Sequence, residues 1–284
     1  MSTTTKEIEF ILIDQVRLAA HKWIPTEIKG VVFYFHGLQS HGGWLWEVGN
    51  LFASNNLAFI CIDRRGCGMS EGERQIIPPV NQLLLDYTLA ISHCLNKLPK
   101  SVPINLFGHC LGGSILAALL NYKGFTIKFD SVVFCSAWLG KLYSTLNEKE
   151  LEKIRFDKSD ELWDAGLHAE DFTSDSRYSV FIDDDTLATR KLVSRSRKHL
   201  LDLEEYYLGS NWNCKKPVVF ISGTDDTVVD LSSALSVFQD LTAGKGTIVH
   251  LPTSKHYLFF TEVKNSLVNW VSYLTVSKGN IHCV

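Results

Sequence analysis

The sequence predicts an α/β fold: a mostly parallel central sheet flanked by helices and interrupted once by an inserted helical segment. Three observations predict it. Apolar runs at 30–35, 57–62, 104–107, 129–135, 217–222 and 247–251 read as strands, and 30–35 and 57–62, continuously apolar with β-branched or aromatic residues, as strands buried within the sheet. Helix-forming stretches separate most of these runs, and strand–helix alternation closes a parallel sheet between two helical layers. The alternation lapses once, across 138–213, where the chain turns charged yet carries Trp163, Tyr178, Tyr206, Tyr207 and Trp212.

In chain order, 8–13 and 16–23 read as strands joined at Asp14-Gln15 by a hairpin turn. The strand 30–35 ends at His36-Gly37-Leu38-Gln39-Ser40-His41-Gly42-Gly43, and a helix is expected over 44–54. After the strand 57–62 comes a polar, glycine-rich loop from Asp63 to Gly72. Pro78-Pro79 then opens a helix to about Lys97, with the prolines where a first turn tolerates them. The strand 104–107 leads into Gly108-His109-Cys110-Leu111-Gly112-Gly113 and a helix over 114–120. Within 138–213 the spacing predicts one long helix over 186–207, capped by Asp184 or Asp185, so that Asp183-Asp184-Asp185 is a helix N-terminus rather than a metal site. Helices over 231–241 and 262–274 complete the pattern. The expected organisation is a core of 1–137 and 214–284 with 138–213 inserted at the sheet edge that carries the Gly108–Gly113 turn.

Composition narrows the function. With 284 residues, 45% apolar and 21% charged, the chain is long enough to bury a sizeable core and reads as an ordinary globular protein. A net charge of −3 gives no electrostatic case for nucleic acid or an anionic membrane. No apolar run approaches a membrane span, and the first residues lack the apolar core of a signal peptide, so no stable membrane insertion and a cytoplasmic location are expected. The seven cysteines, at 61, 67, 94, 110, 135, 214 and 283, form no CxxC pair and sit beside no His at zinc spacing. Free thiols in a reducing compartment, no metal and no cofactor are the expectation.

The chemistry concentrates at Cys110. Strand, Gly-x-Cys-x-Gly, helix is the pattern of a nucleophile elbow with sulfur in place of oxygen. Glycines on either side let strand and helix pass close to a sharp bend, and the Leu111 N–H is aimed where an oxyanion would develop. The rival is a tight turn holding an inert, buried Cys. A nucleophile needs a base, and the base an orienting acid. Gly223-Thr224-Asp225-Asp226-Thr227-Val228-Val229 follows one strand and Pro252-Thr253-Ser254-Lys255-His256-Tyr257 the next, both at the sheet edge where open α/β sheets bind ligands. Asp225 competes with Asp226 for the acid role, and glycine-plus-three spacing favours Asp226. His41 reads as a loop residue, and Trp44 and Trp46 as pocket wall or core. Cys61 and Cys67, with no base nearby in sequence, read as inert thiols.

Taken together, His36-Gly37, Asp63-Arg64-Arg65-Gly66-Cys67-Gly68-Met69-Ser70-Glu71-Gly72, Gly108–Gly113, Gly223-Thr224-Asp225-Asp226-Thr227-Val228, and His256 followed by Glu262 resemble the α/β-hydrolase superfamily. Within it the chain is similar to the monoacylglycerol lipase and lysophospholipase-like branch, from about residue 7 to 275. The resemblance implies an α/β-hydrolase fold, with Cys110 as nucleophile, Asp226 as acid and His256 as base. It implies oxyanion donors at the N–H groups of Leu38 and Leu111, and substrate contacts at His36, Gly37 and Trp138. It makes 138–213 a cap over an acyl pocket, with His36 and His109 flanking the reacting atoms. The departure is Cys110, where that branch has Ser.

Sulfur changes the expected reaction. A free thiol ionises near ~8.5 and an imidazole partner lowers this, so Cys110 is expected to rest as a thiolate beside protonated His256. A thiolate leaves as readily as it attacks, so an ordinary ester adduct reverts unless His256 protonates the departing alkoxide; with a thioester the two leaving groups are matched. The first reading is therefore a thioesterase or acyltransferase that takes a small-molecule acyl ester or thioester, or a carrier-protein-bound acyl group. Polyhydroxyalkanoate synthases resemble this chain in using Gly-x-Cys-x-Gly-Gly. The alternatives are a carboxylesterase or monoacylglycerol lipase-like hydrolase whose Ser is replaced, by drift or engineering, and a ligand-binding relative that does not turn over.

Overall fold

A computed structural model describes residues 4–209 and 215–278. Trp212, Cys214, Cys283 and the expected end of the insertion at 213 lie outside the described residues. The chain opens with strands β1 (Thr4–Ile13) and β2 (Val16–Pro25), joined at Asp14 and Gln15, whose φ angles of +50° and +62° match a two-residue hairpin turn. Then come β3 (Gly30–Phe35), a 3₁₀ turn over Gly42–Leu45, α1 (Trp46–Ser54), β4 (Leu57–Ile62), α2 (Val80–Leu95), β5 (Ile104–His109), α3 (Leu111–Leu119) and β6 (Ser131–Cys135). The insertion carries α4 (Lys141–Thr145), α5 (Glu148–Phe156), β7 (Leu162–Asp164), α6 (Ala169–Phe172), α7 (Ser176–Asp184), β8 (Lys191–Val193) and α8 (Arg197–Leu208). The core resumes with β9 (Val218–Gly223), α9 (Leu231–Leu241), β10 (Thr247–Leu251) and α10 (Lys264–Val276).

Among the described residues, eight strands form one sheet in the order β1-β2-β4-β3-β5-β6-β9-β10. β2 runs antiparallel to both its neighbours, β1 and β4, while β4, β3, β5, β6, β9 and β10 are parallel to one another. The continuous apolar runs are the parallel strands: β3, β4, β6 and β9 are buried at every residue, because helices cover both faces. The two layers hold separate cores, one around Phe35, Leu106, Phe134 and Phe220, the other around Tyr34, Phe59, Phe107 and Phe259. Among the described residues no helix is long and apolar enough to cross a membrane.

One expectation is overturned. There is no continuous helix over 186–207. Thr189, Val193 and Ser194 donate their N–H groups to the carbonyls of Gln39, Gln75 and Glu161, so this backbone is hydrogen-bonded to distant chain instead of to its own preceding turn. β8 pairs antiparallel with β7, and helix begins only at Arg197 after a 3₁₀ turn at Ser194–Ser196. Asp184 and Asp185 cap no helix N-terminus; they sit at the C-terminal end of α7.

Candidate active site

The turn at Cys110 is built from backbone approaching backbone. Cys110 sits at φ +53°, ψ −123°, a strained geometry for a residue with a side chain, held by its N–H on the Cys135 carbonyl (3.1 Å) and by the N–H groups of Gly113 and Trp138 on its own carbonyl (both 2.9 Å). A Cβ on Gly112 would lie 1.9 Å from the Phe35 carbonyl oxygen, and one on Gly108 2.6 Å from that of Gly112. No side chain fits at either point, so the glycines are what let α3 leave β5 this sharply.

β9 and β10 end beside this turn and deliver the other two residues. His256 Nδ1 donates to Asp226 at 2.8 and 3.0 Å, and both side chains are fully buried. Asp226 also accepts from the N–H groups of Val228 and Val229 at 2.9 Å, which fixes its plane. Asp225 takes no part; its carboxylate accepts from the N–H of Asp226. His256 Nε2 has no hydrogen-bond partner and is left to the Cys110 thiol.

The electrostatics single out Cys110. Burial pushes the thiols of Cys61, Cys67, Cys94 and Cys135 up. Burial acts on Cys110 in the same sense, but His256, Lys141 and the Leu111 N–H outweigh it and bring the thiol below its ordinary value. His256 responds in turn: burial opposes its charge, yet Asp226 and Cys110 raise it to about 10. Burial resists the charge of Asp226 as well, and His256 holds the carboxyl below the usual range. Each charge supports the next, the signature of a thiolate–imidazolium pair backed by a carboxylate.

The loop after β3 lies against Cys110: a Cβ on Gly37 would sit 3.2 Å from the Cys110 Cβ. Its shape is fixed by residues the motif pattern left without a role. Arg64 donates to the carbonyls of Gly37 (3.3 Å) and Leu38 (3.1 Å), and Ser40 Oγ accepts from the Gly37 N–H (3.1 Å). His36 is buried, with Nδ1 on the Gly37 carbonyl and Nε2 accepting from the Arg64 N–H, both at 2.9 Å. Both ring nitrogens are thus engaged by backbone, and His36 braces this loop. Burial, then Arg64, lowers it to about 3, so it is neutral. His109 is neutral for a similar reason, lowered to about 3 by burial and then by the charge of His256, while its Nε2 donates to the His256 carbonyl (3.2 Å).

The insertion reaches the site through Trp138, whose N–H holds the Cys110 carbonyl and whose indole N–H donates to Glu204 (2.7 Å). Glu204 also accepts from the N–H groups of Leu142 (3.1 and 3.0 Å) and Tyr143 (3.4 Å); burial raises it to about 7 against these bonds. The sequence held one sign of it: with Leu200, Leu203 and Tyr207 it falls at helical spacing on an apolar face. Farther along, Asp185 accepts from His41 Nε2 (3.0 Å) and Trp44 Nε1 (2.6 Å), and Trp44 packs against Phe172, Phe181, Tyr257 and Phe260. His41 and Trp44 are therefore the seat of the insertion on the core.

Known proteins resemble the chain in sequence and fold. The family Hydrolase_4, described as serine aminopeptidase, S33, matches residues 26–263. The chain is 22% identical to the monoglyceride lipase of Saccharomyces cerevisiae over 98% of its own length and 97% of that protein's. It is 30% identical to the monoacylglycerol lipase of Mycolicibacterium smegmatis over 42% of each. The crystal structure of a soluble variant of the S. cerevisiae monoglyceride lipase in complex with a substrate analog superimposes with a TM-score of 0.80 at 18% identity, covering 97% of this chain and 96% of that one. That likeness is one of fold.

Proposed function

Because the chain belongs to the Hydrolase_4 family (serine aminopeptidase, S33) and is an α/β-hydrolase enzyme of the monoglyceride lipase-like branch, we propose that it transfers acyl groups through an acyl-S-Cys110 intermediate. The donor is a small-molecule acyl ester or thioester, free or carrier-bound. The observation that carries this is the geometry at Cys110, set at φ +53° on the turn before α3 beside His256, whose Nδ1 is held by Asp226; in keeping with it, His256 lowers the Cys110 thiol while burial raises those of Cys61, Cys67, Cys94 and Cys135.

The thiolate attacks the acyl carbonyl carbon, a C–S bond forms, and the carbonyl electron pair moves onto oxygen. The N–H groups of Leu38 and Leu111 receive that oxyanion. Collapse breaks the bond to the leaving group, which takes the proton from His256 Nε2. Neutral His256, oriented by Asp226, then removes a proton from water or another acceptor as it attacks the thioester. The second collapse expels the Cys110 thiolate and restores the ion pair. Residues 138–213 act as the cap that selects the acyl chain, and a reducing compartment such as the cytoplasm keeps Cys110 free.

A second reading has its own support. The relative spanning nearly the whole chain is named a monoglyceride lipase, which favours hydrolysis of a monoacylglycerol ester at a site where Cys stands in for Ser. One experiment separates the two: Cys110 and Cys110→Ser enzymes assayed on a thioester and its matching oxoester, with intact-mass detection of the adduct. Acyl-Cys110 accumulation and faster thioester turnover by the Cys form support the first reading. Faster turnover of both substrates by the Ser form establishes the second.

A further inference from the structure

We propose that Lys141 is an electrostatic determinant of the nucleophile: its ammonium, braced between the start of α4 and the loop that carries Asp226, supplies the second positive charge, after His256, that holds Cys110 as a thiolate. The assignment deepens the reading of Cys110 as nucleophile and rests on it.

Lys141 is tied to both halves of the site. Its Nζ donates to the Val228 carbonyl, and the N–H of Val228 is one of the two backbone donors on Asp226. The same ammonium lies 5.0 Å above the ring of Trp138, whose N–H holds the Cys110 carbonyl. A lysine on a five-residue helix would ordinarily wander, but the backbone beneath this one is clamped. The Gly140 N–H donates to Tyr207 Oη (2.7 Å), and the Leu142 N–H donates to Glu204, with Tyr207 and Glu204 both buried on α8. The residues on either side of Lys141 are thus pinned by one helix of the insertion.

That placement matters because the nucleophile is dry. Cys110 is 3% exposed, so a nearby charge acts on its sulfur with little screening by water. The titratable groups that act on it are His256 and Lys141; His109 and Cys135 end the neighbouring strands, Asp226 lies behind His256, and Glu204 bonds Trp138 and the Leu142 N–H beside Lys141. Lys141 acts on the thiol in the same direction as His256 and after it in strength. A serine nucleophile is neutral at rest, so a standing cation does not set its resting state; a thiolate is stabilised throughout it. A second cation therefore fits sulfur at position 110.

The test is the pH profile of Cys110 alkylation by iodoacetamide, followed by peptide mass spectrometry, in the wild type, Lys141→Met and Lys141→Arg. The expected result is a midpoint raised by about one unit in Lys141→Met, hence about a tenfold slower reaction below both midpoints, with Lys141→Arg close to wild type. A merely structural lysine would not move the midpoint. Coincident midpoints in all three overturn the assignment. Should Lys141→Met fail to fold, Lys141→Gln, which keeps a donor for the Val228 carbonyl, carries the same comparison. The outcome is separable from that of the proposed reaction. A Lys141-dependent midpoint without any acyl adduct would overturn the acyl-S-Cys110 reading alone; an adduct with an unmoved midpoint would overturn the Lys141 assignment alone.

Discussion

The strand-end loops and the insertion meet at Cys110 but are held by different forces. At the strand ends, backbone packs on backbone with no room for a side chain, as at Gly108 and Gly112, and the polar groups of Asp226 and His256 are sealed from water. The insertion is seated by hooks. Asp185 holds His41 and Trp44, Glu47 receives Tyr178 and Lys264, and the Thr189 N–H reaches the Gln39 carbonyl. It also leaves Phe156, Leu162 and Val180 exposed. The difference teaches a division of labour. Groups that must meet within hydrogen-bonding distance are placed by rigid packing, while the segment between β6 and β9 is fastened by contacts that can be exchanged singly.

Removing the base breaks the rigid side hardest. His256→Ala should lower acyl transfer by about a thousandfold or more while the thermal midpoint moves little; steady-state assay and calorimetry on one preparation check this. Asp226→Asn should follow it, and a crippled Asp225→Asn beside an active Asp226→Asn would reverse the assignment of the acid.

The two regions should also differ in what they tolerate at glycine. Gly112→Ala drives a methyl into the Phe35 carbonyl and should cost more than ~3 kcal/mol, or prevent folding. Gly166, in the insertion, has φ +66° but open space around its missing Cβ, so Gly166→Ala should cost about 1 kcal/mol from backbone strain alone. Urea unfolding of both variants measures the contrast, and equal costs would erase it.

Glu204 sharpens the comparison, because among the described residues of this segment it is the deeply buried carboxylate that bonds Trp138 beside Cys110. Its folded value near 7 lies above the ordinary 4.5, so the folded protein binds a proton there that the unfolded chain releases. The stability this gives is fully present below pH 4.5 and is lost as pH rises through 7, a swing on the order of 3 kcal/mol. Glu204→Gln should flatten the thermal midpoint across that window, and a variant as pH-dependent as the wild type would refute the account. The smallest effect is expected from Phe181→Ala, which removes a ring 4.4 Å from Trp46. It should shift relative kcat/KM between short and long acyl chains several-fold without unfolding the core, and an unchanged chain-length profile would count against the cap.

How much was legible follows from where the information sits. The parallel strands declared themselves because burial on both faces demands unbroken apolar runs, and the turn at Cys110 because its bend demands glycines at fixed offsets. Strand order then put Asp226 and His256 in the loops beside it, and the geometry joins Asp226, not Asp225, to His256. The helix expected over 186–207 failed for the opposite reason. Helical propensity is local, whereas the hydrogen bonds of Thr189, Val193 and Ser194 go to chain more than thirty residues away.

By itself, then, the sequence determined the parallel strands and the glycine-flanked turn at Cys110, since each is set by short-range spacing. Tertiary structure alone decided the rest. It turned both nitrogens of His36 inward and gave Arg64 the carbonyls of Gly37 and Leu38. It buried Glu204 against Trp138 and set the Lys141 ammonium between the Trp138 ring and the Val228 carbonyl. Those outcomes depend on which side chains meet across distant segments and on how little water remains between them, and neither quantity is written in the spacing of residues along a chain.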